Sequence, residues 1–585
     1  MDSKKQNSST VTYIDLNVND GADAFVEALI MYGIEYIFIN SGTDTFPVQE
    51  ALARKIEKKE KVPEVILCLD ESMGLSAAHG YYQITGKPQA VLVHVDAGTA
   101  QLGGALHNAQ RSRAAMLIVA GRSPLTFLNE VPGGRDLPIH WIQEQRDQAG
   151  IVRTFTKWDY ELRNAETSGV VINRAMQVAS SEPSGPVYLV VPRESLMQKI
   201  DTVKFPSPAR HQVSVSPQAD PESINTIAEK MLAADSPLII VGRSGRNKNS
   251  VSSLEKIVDI SGAQVTTTPT SFGFPTDNPA WVGMSSEEHI ETSDMILIID
   301  CDVPWIPAEA HPKDEAYIAC IDIEPVKESM PLLSFPADIF VQADSSKALN
   351  QLLESLKSNI VEVNNKEIDI RKDKLVQNHR LREVTLLNED MELSEEKPIN
   401  PKWLIRCITE ELPEDSIILE ETVTNRPRVH NILSRNAKGD LLVSGGASLG
   451  WAIGAAVGVK LAAPDKDVIA LVGDGAFVYG APTSAIWASV KYETPFLTII
   501  FNNSEHFSTR RSLQKFYPDS AAHRINNFPG LDISPSPNYA DLAKASGAYG
   551  EIIENPGDIK GAISRGLAQT RKGVSAVLDV RLKRP

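Results

Sequence analysis

Residues 468–504 read VIALVGDGAFVYGAPTSAIWASVKYETPFLTIIFNNS, two apolar runs that each end in polar punctuation, Gly473-Asp474-Gly475 and Asn502-Asn503. Short apolar runs bounded by turn residues are the pattern of strands buried on both faces, so residues 468–472 and 496–501 are predicted as strands. Residues 483–492 between them predict a helix, which makes a βαβ unit with parallel strands. The carboxyl ends of neighbouring strands in such a unit lie side by side, at the edge where open α/β sheets bind ligands. Asp474 and the asparagine pair then face one crevice. A carboxylate, an amide oxygen and a loop carbonyl form a hard-oxygen set that suits Mg²⁺. Glycines beside the carboxylate let backbone N–H groups approach a diphosphate. Taken singly, each motif is equally ordinary turn chemistry. Placement on adjacent strand ends gives them their meaning.

Outward from this stretch, residues 417–419 predict a strand that runs into Glu420–Thr424, and Ser444–Trp451 opens a small-residue helix to Leu461. Near the start of the chain, a helix over 20–32 and a strand over 36–39 lead to the turn Asn40-Ser41-Gly42-Thr43. A strand over 65–69 is followed by Glu71 and a helix over 72–83. Gly74 and Gly80 inside that helix weaken it, which points to close packing or a ligand beside it. Taken alone, Glu71 is a first-turn carboxylate favoured by the helix dipole. His94 ends the strand over 90–95 and, read alone, is equally a core histidine. Strands over 237–241, 295–300 and 317–322 mark a further α/β unit; its turn Gly242–Arg246 is a weak dinucleotide signal, and no nucleotide is predicted. Residues 355–398 are highly charged and predict a solvated helix and connector.

A chain of 585 residues is too long for one core. The predicted architecture is α/β, with three doubly wound parallel-sheet domains: 17–195, 215–355 and 399–585, with a disordered tail over 1–16 and a charged connector over 356–398. A net charge of −17 argues against a nucleic acid or an anionic membrane as partner. No apolar run approaches the roughly 20 residues of a membrane span, and the first residues lack an apolar signal core. Four scattered cysteines without metal-ligand spacing read as reduced thiols. A cytoplasmic enzyme is expected.

The stretch from Gly473 to Asn503 resembles the diphosphate and metal motif of the thiamine diphosphate enzymes of the acetolactate synthase and pyruvate decarboxylase type. The resemblance covers nearly the whole chain and is locally greatest to benzoylformate decarboxylase, in His94, Ala97-Gly98-Thr99 and Gly104–Ala109. It implies thiamine diphosphate and Mg²⁺ as cofactors. The metal ligands would be Asp474, the Asn503 side chain and the Glu505 main-chain oxygen. Thr424, Ser448, Gly473, Gly475 and Ala476 would line the cofactor, and Leu449 would be the apolar support under its bend. Glu71 would hydrogen-bond the pyrimidine ring. The first, second and third domains would be the pyrimidine-binding, central and diphosphate-binding domains.

By the same resemblance His94 is an acid/base residue and Asn278 a substrate-pocket position; Thr43 and His506 are further pocket candidates from their places on the loops over 40–45 and 505–516, His506 reading otherwise as a surface-loop histidine. Asn278 stands where benzoylformate decarboxylase has a second histidine, and an amide cannot exchange a proton near neutral pH. The implied activity is non-oxidative decarboxylation of a 2-oxo acid through an enamine. Alternatives are an acetolactate synthase-like carboligase, a 2-hydroxyacyl-CoA lyase, and a non-catalytic scaffold subunit. The implied partners are a small 2-oxo acid or acyl substrate and further copies of the chain, in a homodimer or homotetramer with active sites between subunits.

Overall fold

The structure is a computed structural model that describes residues 11–270, 272–360, 365–433 and 440–584. It contains three six-stranded sheets, each wholly parallel. The first runs Glu64–Leu67, Tyr36–Ile39, Ala90–Val93, Met116–Ala120, Pro186–Val190, Asp159–Glu161 across the sheet. The third runs Asp440–Leu442, Ile417–Glu421, Val468–Gly473, Leu497–Asn502, Ala576–Arg581, Tyr549–Ile553. Numbered within each domain, both orders are 2-1-3-4-6-5, so these domains share one topology. The central sheet has the order 3-2-1-4-5-6.

The strands of residues 468–504 pair as neighbours in parallel register, Ile469 with Leu497 through Gly473 with Phe501. Between them lie two helices, Asp474–Tyr479 and Pro482–Lys491, separated by Ala481 at φ 48°. Of the two glycines in the helix Glu71–Thr85, Gly74 faces Cys68 and Gly80 faces another helix. Glu71–Thr85 lies along Ala452–Ala462 of the third domain. A Cβ on Gly80 would stand 2.3 Å from the Ala455 oxygen, and one on Gly458 would stand 1.8 Å from the Ala77 oxygen. Only glycine permits that approach. One apolar core therefore runs continuously through the first and third domains, from Phe38 and Ile118 to Val472 and Ile500.

The disordered tail expected over 1–16 is corrected from residue 13 onward. Tyr13–Asn17 is a strand, paired antiparallel with Thr202–Pro206; the tail before residue 11 lies outside the described residues. The same strand pair carries the first domain beyond 195, because Val203 and Phe205 are buried in its core. Among the described residues no helix is long and apolar enough to cross a membrane. The four cysteines are free and buried.

Candidate active site

In a 2-1-3-4-6-5 sheet the chain leaves strands 1 and 3 in opposite directions, and a crevice opens between their carboxyl ends. In the third domain those strands are Ile417–Glu421 and Val468–Gly473. The loops leaving them, Thr422–Asn425 and Gly473–Ala476, border a cavity of about 210 Å³ together with Leu449, Asn503, Glu505 and His506.

Asp474 is buried there. Its Oδ1 accepts from the Gly475 N–H (2.8 Å) and its Oδ2 from the Ser504 N–H (2.7 Å). Burial pushes its carboxyl pKa up, while these two N–H groups and His506 pull it down. The asparagine pair divides its work. Asn502 donates to Asp579 Oδ1 (2.8 Å) and accepts from the Ser504 N–H (3.1 Å), a structural role. Asn503 borders the cavity, with its Oδ1 accepting from the Glu505 N–H (3.0 Å). The Glu505 carboxylate is paired with Arg510 (3.2 Å). His506 lies over Gly475, where a Cβ would meet its Cε1 at 2.9 Å, whereas a Cβ on Gly473 would have only Thr422 O nearby, at 3.8 Å. Val423 (φ 50°) and Ser504 (φ 56°) occupy the left-handed region, a strain of about 1–3 kcal/mol each of the kind that persists at ligand sites.

Three connections fix the turn that carries Leu449. Glu421 accepts from the N–H groups of Gly450 (2.7 Å), Trp451 (3.1 Å) and Ala452 (2.8 Å). From the first domain, Asn108 donates to Ser448 O (2.9 Å) and accepts from Ser448 N–H (3.1 Å). Trp451 Nε1–H donates to His79 Nδ1 (3.0 Å), and His79 Nε2 meets Ser112 Oγ (2.6 Å). Burial drives the His79 pKa down to about 3, so it is a neutral acceptor for Trp451. Thr424 Oγ1 lies 3.1 Å from Ser508 Oγ.

The equivalent crevice of the first domain lies between Tyr36–Ile39 and Ala90–Val93. His94 ends one strand, and Asp44 follows the other after a short turn. His94 Nδ1 is 2.5 Å from Asp44 Oδ1, and Asp44 is buried. The pair has no spare room: a Cβ on Gly42 would stand 2.0 Å from His94 Nδ1, and one on Gly121 would stand 1.9 Å from Asp44 Oδ2. The Asp44 hydrogen bond raises the His94 pKa against the opposing effect of burial, and Gln143 adds to the rise. Val95, the next residue, is at φ 33°, a strained value for a β-branched side chain. Glu71 opens the helix Glu71–Thr85, with its Oε1 3.1 Å from where a Cβ of Gly98 would stand.

The other predicted positions are dispersed. Thr43 is exposed beside Asp44, with its main-chain oxygen 3.5 Å from an Arg193 nitrogen. Asn278 caps a central-domain turn, its Oδ1 accepting from Ala280 N–H (3.0 Å) at the amino end of the edge strand Trp281–Met284. Within one chain it borders neither crevice. The third-domain cavity is lined by that domain alone, without Glu71 or His94.

A thiamine cofactor and its metal can be tested against this donor set. A buried carboxylate held by backbone N–H groups, an amide oxygen and glycine-lined space suit a cation bridged to a diphosphate. Among the described residues no three His, Cys, Asp or Glu side chains cluster as a metal site. A cation here would therefore draw further oxygens from phosphate and water. A cavity of about 210 Å³ is also below the roughly 300 Å³ at which small-molecule pockets begin, so it suits one end of a cofactor. The residues fit.

Comparison with known proteins decides the family. The thiamine pyrophosphate enzyme domains match in order: the N-terminal TPP binding domain over residues 19–151, the central domain over 224–352 and the C-terminal TPP binding domain over 424–580. The chain belongs to the thiamine pyrophosphate enzymes. Thiamine diphosphate is thus the cofactor of this thiamine pyrophosphate enzyme. It is 24% identical to benzoylformate decarboxylase of Pseudomonas aeruginosa over 94% of this chain and 96% of that one. It is 23% identical to a probable acetolactate synthase large subunit of Methanocaldococcus jannaschii (92% and 88% covered). It is 22% identical to human 2-hydroxyacyl-CoA lyase 1 (94% and 93% covered). In fold it resembles the thiamine diphosphate-dependent 4-hydroxybenzoylformate decarboxylase of Rhodococcus jostii, with a TM-score of 0.76 at 22% identity, covering 97% of this chain and 99% of that one.

Asp44 escaped the sequence reading because nothing local links it to a histidine fifty residues on. Its one signal is a carboxylate just past a strand end. Asn108 and Glu421 sit inside quoted motifs, but their partners lie in another domain or at the next helix.

Proposed function

We propose that this enzyme is a thiamine diphosphate- and Mg²⁺-dependent carbon–carbon lyase that decarboxylates a 2-oxo acid and releases an aldehyde. The observation that carries the reading is the Asp44–His94 pair at the first-domain crevice. A decarboxylase needs a proton donor for the carbon that loses CO₂, and the Asp44 carboxylate at Nδ1 favours the protonated form of His94.

When bound, thiamine diphosphate supplies an electron sink for the pair released as the bond breaks. Asp474, Asn503 and the Glu505 main-chain oxygen would hold the metal. Gly473, Gly475, Ala476, Thr424 and Ser448 would admit the diphosphate, and Leu449 would support the cofactor from below. Glu71 would hold a proton at the pyrimidine ring. Asp44 fixes Nδ1 of His94, which leaves Nε2 to deliver the proton. Thr43 and His506 would border the substrate. Because the third-domain cavity includes no first-domain residue, the two halves are completed by a second copy of the chain, in keeping with a family that is typically oligomeric.

The test is product analysis on a panel of 2-oxo acids, with and without an acceptor aldehyde. Aldehyde release that falls in His94→Ala supports the proposal. Exclusive formation of a coupled hydroxyketone or acetohydroxy acid would replace it with the carboligase reading, and cleavage of only a 2-hydroxyacyl-CoA would replace it with the lyase one.

A further inference from the structure

The helix Asn365–Glu392 is 28 residues long, about 42 Å, and joins the central domain to the third. Its inner face is well anchored. Ile368 and Leu375 are buried in the central core, the Arg382 guanidinium lies 4.3 Å from the Trp281 ring centroid, and Arg406 pairs with Asp390 at 2.9 Å. The opposite face carries a second apolar stripe. Leu381, Val384, Leu387 and Met391 follow one another at spacings of three and four, the repeat of one helix face, and are 67%, 56%, 43% and 52% exposed. Single exposed apolar side chains are ordinary, but four in register on one helix face form a docking surface.

The charge pattern says what fits it. Residues 366–382 carry six basic and three acidic side chains, whereas 383–392 carry four acidic and no basic ones. That order opposes the helix dipole, which favours anions at the first turn and cations at the last. A second identical helix laid antiparallel and centred near Val384 overlaps residues 376–392 of both, which sets Arg380 of each along the acidic 383–392 of the other and closes the two stripes on each other. We infer that this helix pairs antiparallel with the same helix of a second copy of the chain about a twofold axis near Val384. The contact is separate from the cofactor crevices and does not depend on the proposed reaction. It is self-complementary, as a twofold interface must be.

The test uses the full-length enzyme with its cofactors. The native cysteines are buried, so mild oxidation reports an introduced thiol. Val384→Cys should form a disulfide-linked pair of chains. Ile370→Cys should not, because it lies 14 residues from the axis, about 21 Å along each helix in opposite directions. The double variant Leu381→Glu/Val384→Glu should halve the assembly mass in sedimentation at unchanged activity. Arg380→Glu should weaken the wild-type assembly, and adding Glu392→Arg in the same chain should restore it. The inference is overturned if Val384→Cys does not cross-link, if both cysteine variants do, as in parallel pairing, or if the double glutamate variant keeps the wild-type mass.

Discussion

His94 Nδ1 stands 2.5 Å from the buried Oδ1 of Asp44, where the chain leaves two adjacent parallel strands of the first domain. The third domain, folded in the same strand order, places Asp474 at its matching crevice. One topology used twice thus presents a histidine–carboxylate pair in one copy and a buried carboxylate between glycines in the other.

Asp44→Asn replaces the charged acceptor that raises the His94 pKa with a neutral amide. The alkaline limb of the kcat profile should move to lower pH and kcat should fall about 10²-fold, the usual worth of a positioned proton donor. Stability should follow. A histidine titrating higher in the fold than in the unfolded chain stabilises the fold fully below about pH 6.5 and ceases to do so as pH rises through its folded value. Denaturant titrations across pH should show that slope in the wild type and its loss in the variant.

Glu71→Ala should abolish carbon–carbon bond chemistry while leaving Mg²⁺-dependent cofactor binding largely intact, as read by calorimetric titration. Full activity in the variant would remove Glu71 from the mechanism.

Asp474→Asn should separate stability from cofactor binding. Burial raises the Asp474 pKa, so without a cation its charge costs stability above the ordinary carboxylate range, and that cost disappears at low pH. The cofactor-free variant should therefore melt no lower than the wild type at pH 7. Its affinity for thiamine diphosphate with Mg²⁺ should fall tenfold or more, about the loss seen when support of a metal site is removed. The melting-temperature rise on adding both should shrink accordingly.

Asn108→Ala breaks both hydrogen bonds to Ser448. A polar group left unpaired costs about 1–3 kcal/mol, so the cofactor concentration for half-maximal activity should rise about tenfold to a hundredfold with kcat little changed. Activity titrated against thiamine diphosphate checks this split.

Gly458→Ala puts a Cβ 1.8 Å from Ala77 O, in the helix contact between the first and third domains. It should destabilise the protein by about 1–3 kcal/mol or more in denaturant unfolding. Gly557→Ala, which meets nothing within 4 Å, is the control and should be close to neutral.

Much of the sheet architecture was legible because parallel strands buried on both faces are written as unbroken apolar runs, as in Val468–Gly473 and Met295–Ile299. The strand Tyr13–Asn17 was missed for the complementary reason. Its exposed and half-buried residues alternate, and its partner lies almost two hundred residues away. The need for glycine at position 80 was visible as a weakened helix, but not the Ala455 carbonyl that requires it.

The sequence by itself determined the punctuation: which runs are strands, and which carboxylates, amides and glycines stand at their ends. Those features are local, because strand burial and turn chemistry act over a few residues. Tertiary structure alone decided which of those ends meet. It brought Asp44 to His94, Asn108 to Ser448 and Trp451 to His79, and it turned Asn502 toward Asp579 while Asn503 faces the cavity. Strand order and helix packing govern such meetings, and both depend on contacts that no local pattern records.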